Sequence, residues 1–415
     1  MIALLCERFG IAGRVRDAAL AAEKRTATLS YPAQRAVHAN VLQAFIDEGI
    51  VESDLAGTLG YGYDDAARER YESLLARVLG AQRALARLSI VSGTHAIVAA
   101  IEACTPPGAT LLSISGAPYD TLRNAICDAP QALARRGLRY REIALQGAGI
   151  DLRAIEAALA ESGETTIFIQ RSRGYAPRPS LSIETCAEAI ECVRRVAPSS
   201  RVLVDNCYGE LVEEREPLHA GADLVMGSLI KNLGGSLAPA GAYVAGRADL
   251  IELVAARLYA PGLGAALGPT LGYGRALCQG LFLAPLIVEQ TLRGLDFTAA
   301  LFEELGYCVD PAAGSRRTDI VQAIRLGTSE RLQRFAAGLQ AAMPLNARFR
   351  PEPGAVPGYA QPVVMSSGAF VGGATIELSC DAPLREPFEV YVQGGVSAAH
   401  AYLGALFAAR ACEAA

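Results

Sequence analysis

The residue of this 415-residue chain with the strongest claim to chemistry is Lys231. Of 38 basic residues only two, Lys24 and Lys231, are lysines, so 38 − 2 = 36 are arginines, and arginine serves wherever a surface cation is wanted. Lys231 instead follows the apolar run ADLVMGSLI, which predicts a buried strand and its turn. An arginine cannot lose its proton in a protein, whereas a desolvated lysine can become a nucleophile and form a Schiff base. Upstream, RVLVD predicts another buried strand ending in Asp205, so two parallel strands deliver an amine and a carboxylate to one rim. That pair suits pyridoxal 5'-phosphate (PLP), whose aldehyde needs a lysine and whose ring nitrogen needs an acidic partner. The plainer roles are a strand-turn contact for Lys231 and a helix cap for Asp205; the scarcity of lysine and the buried strand before it argue against them.

Other residues acquire meaning beside this pair. Ser92-Gly93-Thr94 joins the strand ALARLSIV to an apolar helix. Amides at a helix N-terminus plus a hydroxyl make an anion site, the expected phosphate cup, although a Ser/Thr cap alone accounts for the same residues. Ser228, just before the lysine, is placed to reach a phosphate oxygen. Tyr119, in GAPYD after the strand ATLLSIS, either stacks on a flat ring or packs at the rim, and a PLP site favours stacking. Arg171 and Arg173, in QRSRGY at the end of TTIFIQ, are candidates to clamp a carboxylate or phosphate, with Arg385 in DAPLREPFEVY as their rival. A structural ion pair is the alternative for each arginine. His95 lies in the first turn of the helix after SGT, near enough to influence a cofactor, whereas His38, His219 and His400 carry no chemical argument.

Composition narrows the class. Ten cysteines without a CxxC pair or a Cys/His cluster argue against a disulfide framework and a zinc site, so no metal is expected. A net charge of −5 without a basic stripe leaves no footprint for nucleic acid. No apolar run approaches the roughly 18 to 20 residues of a membrane span, and the apolar start is too short for a secretory signal, so a cytoplasmic protein is expected.

The elements that must position these residues follow from the periodicities. Residues 1–55 read as an N-terminal arm, helical between about 12 and 48 and interrupted at Pro32. The glycine-rich stretch DLAGTLGYGYDD then presents Tyr61 and Tyr63 before a helix capped by Asp64 or Asp65, a loop suited to a ligand or a partner subunit. From residue 84, strands alternate with helices through ADLVMGS, which predicts an α/β fold whose mostly parallel sheet is covered on both faces. Ligands of such sheets bind at the strand carboxyl ends. A long apolar helix kinked at Pro285 leads into strands TDIVQAIRL, PVVMSS, GATIELS and FEVYV with helices over 329–342 and 397–409. We place a boundary near residue 280, giving a large domain over 56–280 and a smaller C-terminal α/β domain over 281–415.

Taken together, GYGYDDAARERYE, VSGTHAI, GAPYDTL, QRSRGY, VDNCYGELVE, GSLIKN, QGLFLAP, IELSCDAPLREPF and YVQGG resemble the methionine gamma-lyase or aluminium-resistance protein family of fold-type I PLP enzymes, relatives of cystathionine lyases. The likeness covers nearly the whole chain. It implies a PLP-dependent transferase fold of type I, with a seven-stranded sheet in the large domain. It makes Lys231 the Schiff-base lysine, Asp205 the pyridinium partner, Tyr119 the stacking residue, and Ser92, Gly93, Thr94 and Ser228 the phosphate contacts, with Tyr208 and His95 beside the cofactor. Tyr61 and Tyr63 resemble the loop that reaches a neighbouring subunit's site, which implies a homodimer or homotetramer. The implied activity on a small amino acid is loss of a γ-substituent (thiolate, activated oxygen or halide) through an external aldimine and a carbanion, with Lys231 taking the α-proton and Tyr119, Tyr61 or Tyr63 shuttling protons. β-Elimination, aminotransfer and non-catalytic PLP binding use the same core residues. Two departures stand out. Leu233-Gly234-Gly235-Ser236 stands where the family pattern has Pro-Gly-Gly-Gly, and Cys380 and Ala382 replace an alanine and a glycine. Leu233 and Ser236 are thereby expected to influence the substrate or leaving group.

Overall fold

A computed structural model describes every residue of the chain except Ala148, Ser162 and Ala415. The arm consists of α1 (Ile2–Arg8), α2 (Gly13–Thr26) and α3 (Pro32–Glu48). Pro32 opens α3, where its missing N–H is no loss and its fixed φ suits the first turn. Helix α4 (Ala66–Leu79) is capped by Asp65, whose side chain accepts from the Arg68 amide at 2.9 Å. Then come β1 (Arg83–Arg87), α5 (Gly93–Cys104), β2 (Thr110–Ser113), α6 (Asp120–Arg123), β3 (Arg139–Glu142), α7 (Leu152–Ala160), β4 (Thr165–Gln170), α8 (Ile183–Val196), β5 (Arg201–Asp205), β6 (Leu224–Ser228), β7 (Ala242–Gly246) and α9 (Ala248–Leu258).

The first sheet has seven strands in the order β1-β7-β6-β5-β4-β2-β3. Strands β2 to β6 pair in parallel and β7 is antiparallel to both its neighbours. Strand β7 escapes the strand–helix alternation because the chain returns to it from β6 by a turn with only a short 3-10 stretch, Asn232–Gly234, and no α-helix between, and that turn carries Lys231. Strands β2, β4, β6 and β7 are buried along their whole length, so they read as continuous apolar runs rather than as alternating ones.

Helix α10 (Gly274–Glu304) contains residue 280 and runs through Pro285 without ending there. Beyond it, β8 (Cys308–Asp310), β9 (Val321–Arg325), β10 (Pro353–Gly354), β11 (Val363–Ser367), β12 (Ser379–Pro383) and β13 (Glu389–Gln393) form a smaller sheet in the order β10-β11-β12-β13-β9-β8, with α11 (Ser329–Gln340) and α12 (Ala398–Glu413). All its pairs are antiparallel. The strand expected over GATIELS starts at its last residue, Ser379. The Glu377 carboxylate draws the chain into turns by accepting the Phe370 amide at 2.9 Å. Among the described residues no helix is long and apolar enough to cross a membrane, and no group of three or more His, Cys, Asp or Glu could hold a metal ion.

Candidate active site

The parallel strands end on a common rim. Gln170, the last residue of β4, lies opposite Asp205, the last of β5, and Asp205 lies opposite Met226 of β6, so β6 runs on to Ser228 beside them. These ends form part of the wall of a cavity of about 320 Å³ that contains Lys231, Asp205, Ser228, Tyr119, Tyr208 and the Ser92–Thr94 stretch.

The Lys231 Nζ stands 3.8 Å from the centroid of the Tyr208 ring. Tyr208 adopts φ +72°, an uncommon conformation for a bulky residue, which turns its ring under the amine. Burial works against a charged Lys231, but Cys207, Tyr208, Asp205 and Tyr119 outweigh it and hold the amine pKa well above the usual lysine range. Asp205 is itself buried, with its Oδ1 accepting from the Cys207 amide at 3.1 Å. Burial raises its pKa; Lys231 and the amide and thiol of Cys207 pull the other way. A cationic ring N–H placed against it would stabilise the charged form of this carboxylate further.

The cup is formed where β1 leads into α5. The Ser92 Oγ caps the helix by accepting from the His95 amide at 3.1 Å, which leaves the Gly93 and Thr94 amides as first-turn donors without an acceptor in the helix. A Cβ on Gly93 would stand 3.3 Å from the Cys207 Sγ and 3.6 Å from the Ser228 Cβ, so only glycine leaves the cup its depth. The Thr94 hydroxyl meets the Tyr119 hydroxyl at 2.7 Å, and the Tyr119 amide donates to the Gln170 Oε1 at 2.8 Å. This fixes the tyrosine beside the cup; burial, then the Asp205 charge, raise its pKa well above the ordinary phenol. A ring carboxylate partner, an amine, an aromatic face and an amide cup within one cavity fit PLP.

The remaining candidates lie elsewhere. Arg171 is almost wholly buried, with its Nη2 on the Glu213 carboxylate at 2.6 Å and its Nη1 on Asn206 at 2.5 Å, away from the cavity wall. Arg173 is buried and paired with Asp310 at 2.6 Å. Arg385 is half-buried, donates to the Tyr175 carbonyl at 2.7 Å and meets Asp120 only at 3.4 Å. His95 is exposed and its Nδ1 accepts from the Val91 amide at 3.3 Å. Tyr61 and Tyr63 are exposed, their rings 6.1 Å apart, on a loop that packs against residues 268–271 and away from this chain's own cavity. Leu233 is buried in the hydrophobic core rather than in the cavity wall, and Ser236 takes φ +62°, so these departures bear on the turn and not on the surface a substrate would touch.

The wall also holds residues to which the sequence assigns no role, although Gln170 and Tyr175 bound QRSRGY and Cys207 lies in VDNCYGELVE: Gln170, Tyr175, Cys207 and Tyr359. The position of Gln170 and Cys207, beside the two strand ends already identified, was a usable signal. Tyr359 reaches the wall from a distant C-terminal segment and had none.

The fold is shared with a solved pyridoxal-5'-phosphate dependent protein, YhfS of Escherichia coli, at a TM-score of 0.58 and 20% identity, covering 89% of this chain and 94% of the other. The chain belongs to the methionine gamma-lyase family, whose model matches residues 16–412. It is 42% identical over 365 residues to the uncharacterized protein YnbB of Bacillus subtilis, covering 87% of this chain and 86% of that one. A crystal structure from Clostridium acetobutylicum superposes with a TM-score of 0.93 at 38% identity, covering 98% of this chain and 97% of the other; its assignment as a cystathionine beta-lyase involved in aluminum resistance is itself inferred. A carbon-sulfur lyase involved in aluminum resistance from Clostridium novyi NT gives 0.91 at 37% identity, with 97% of each chain covered.

Proposed function

We propose that this chain is a PLP-dependent carbon–sulfur lyase that holds its cofactor through Lys231 and removes a γ-substituent from a small amino acid. The observation that carries this reading is the convergence of a buried amine, Lys231, and a buried carboxylate, Asp205, on the cavity that the α5 cup opens into. PLP, when bound, supplies the electron sink for the bonds broken at the amino-acid carbons. The protein's part is positional and protic. The Gly93 and Thr94 amides and the Ser228 hydroxyl hold the phosphate, Asp205 keeps a proton on the ring nitrogen, and Tyr119 flanks the ring. Lys231 takes the proton from the substrate Cα.

Arg385, although outside the cavity wall, is the arginine freest to turn to the substrate carboxylate, because Arg171 and Arg173 are committed to buried or tight ion pairs whereas the Asp120 contacts of Arg385 are long. Tyr61 and Tyr63, with exposed Leu59 beside them, suit contact with a second copy of the chain, whose cavity they would complete. A homodimer or a dimer of dimers in the cytoplasm is the assembly we propose.

The relationship to the Clostridium acetobutylicum protein supports a second reading, β-elimination from a cysteine-type substrate, since the same lysine, aspartate and cup serve both. Keto-acid analysis separates them: 2-oxobutanoate from a γ-thioether is expected, while pyruvate from a β-thioether together with no 2-oxobutanoate would replace γ-elimination by β-elimination. No keto acid from either would remove the lyase reading.

A further inference from the structure

The amine of Lys231 rests on an aromatic face rather than in an ion pair. Among the described residues Lys231 forms no salt bridge, and its Nζ stands 3.8 Å from the Tyr208 ring centroid. Such a face attracts an ammonium through its charge, and the attraction grows where water is excluded. The ring is fixed by its backbone. The Tyr208 carbonyl accepts from the Asn232 Nδ2 at 3.1 Å and from the Ile320 amide at 3.1 Å, which holds the residue at φ +72°. Asn232 follows Lys231 in the chain, is fully buried and donates a second bond, to the Glu210 carbonyl at 2.8 Å. One side chain thus ties the turn that carries the amine to the loop that carries the ring. The ring also packs against the cluster of Val321 and Ala323 on β9 and Tyr391 on β13.

We propose that the Tyr208 ring is the docking face for the ammonium that Lys231 becomes on taking the substrate Cα proton, which makes Tyr208 a positioning residue for the base. The proposal rests on the lyase reading above. In that step the Cα–H bond breaks, its electron pair passes to the cofactor, and the proton bonds to the Nζ lone pair. The positive charge so created appears over the ring, where it is stabilised as it forms. A carboxylate in the same place could take the proton away from the amine. A ring face cannot, so the proton stays on Nζ, ready to be returned to the substrate. Asp205, Cys207 and Tyr119 also act on the charge at Lys231, but they are the same in every Tyr208 variant, so exchanging the ring isolates its part.

The scarcity of lysine makes the contact directly visible by NMR. In cofactor-free full-length protein labelled on lysine carbon, only Lys24 and Lys231 give side-chain signals, and exposed Lys24 near the end of α2 is the internal reference. An aromatic face shields what lies over it, so the Lys231 ε-methylene protons should resonate upfield of those of Lys24. That displacement should persist in Tyr208→Phe, which keeps the ring and loses the hydroxyl, and vanish in Tyr208→Leu. With PLP loaded, exchange of the substrate α-proton in deuterium oxide should slow about 30-fold in Tyr208→Leu and stay within about threefold of wild type in Tyr208→Phe. Borohydride should still fix the cofactor to Lys231 in both variants. An undisplaced Lys231 signal in a wild type that exchanges the α-proton would overturn the proposal alone, as would Tyr208→Phe losing as much as Tyr208→Leu, or Tyr208→Leu exchanging at the wild-type rate. The wild-type and Tyr208→Phe spectra decide the contact even if Tyr208→Leu does not fold. A PLP-loaded wild type that does not exchange the α-proton would overturn the lyase reading itself, and this proposal with it.

Discussion

Replacing Asp65 by asparagine is expected to cost about 3 kcal/mol of stability and to loosen the loop that carries Tyr61 and Tyr63. The Asp65 Oδ2 accepts from the Thr58 amide at 2.9 Å, the Thr58 hydroxyl at 2.8 Å, the Thr270 amide at 2.8 Å and the Thr270 hydroxyl at 3.0 Å. Its Oδ1 accepts from the Arg68 amide at 2.9 Å. One carboxylate thus ties the tyrosine loop, the start of α4 and the segment before α10 together. Close packing leaves the loop little choice: a Cβ on Gly62 would lie 2.3 Å from the Pro269 amide nitrogen. An asparagine that keeps its carbonyl on Arg68 turns an NH₂ toward two backbone amides and leaves both unpaired. Each stranded buried amide costs about 1 to 3 kcal/mol, which gives the figure above.

The pH dependence supplies an independent check. Burial alone would raise the Asp65 pKa, but the Thr270, Arg68 and Thr58 donors outweigh it and hold the carboxyl down to about 2, against an ordinary 3.8. A lowered folded-state pKa means that this stabilisation is present above about pH 4 and is lost as the pH falls through about 2. Urea midpoints measured from pH 7 down to pH 3 should show this acid slope in wild type and a shallower one in Asp65→Asn. A loss below about 1 kcal/mol at pH 7, or an unchanged acid slope, would refute the clamp.

Arg171→Ala should destabilise the fold by about 3 kcal/mol, because it takes the buried guanidinium from Glu213 and leaves it only the exposed Arg316 as an ion-pair partner, while KM stays within twofold, as calorimetry and steady-state kinetics would show. Gly93→Ala should weaken PLP binding by about tenfold, or 1.4 kcal/mol, measured by titrating the cofactor-free protein, since the added methyl intrudes on the cup. Burial pushes the Glu210 carboxyl up to about 8. Between about pH 4.5 and 8 the unfolded chain then ionises while the folded one does not, so stability falls as pH rises, and Glu210→Gln should flatten that decline in urea midpoints.

Much of this fold is legible because strands buried on both faces read as uninterrupted apolar runs, as TTIFIQ and RVLVD do. What escaped is what local pattern does not encode. Strand β7 follows β6 without the helix that signals a parallel return. The strand sought in GATIELS yields to turns organised by the Glu377 side chain. The amine and carboxylate stood out through composition and strand position, and Gly93 and Thr94 through a helix start. The arginines could not be ranked from QRSRGY, because a clamp and a buried ion pair use the same residue; the distinction lies in Glu213, whose approach to Arg171 is a tertiary fact. Tyr359 reaches the cavity wall from the segment between β10 and β11, far from the other wall residues in sequence.

The central claim is that PLP binds through Lys231, and the chain's two lysines make it directly testable. Wild type and Lys231→Ala would be incubated with PLP, reduced with borohydride, digested and analysed by mass spectrometry alongside the visible spectrum. Wild type should be yellow and carry the reduced cofactor on the Lys231 peptide, with neither band nor label in Lys231→Ala. Label on Lys24, or an equal yield of trapped cofactor in Lys231→Ala, would contradict it.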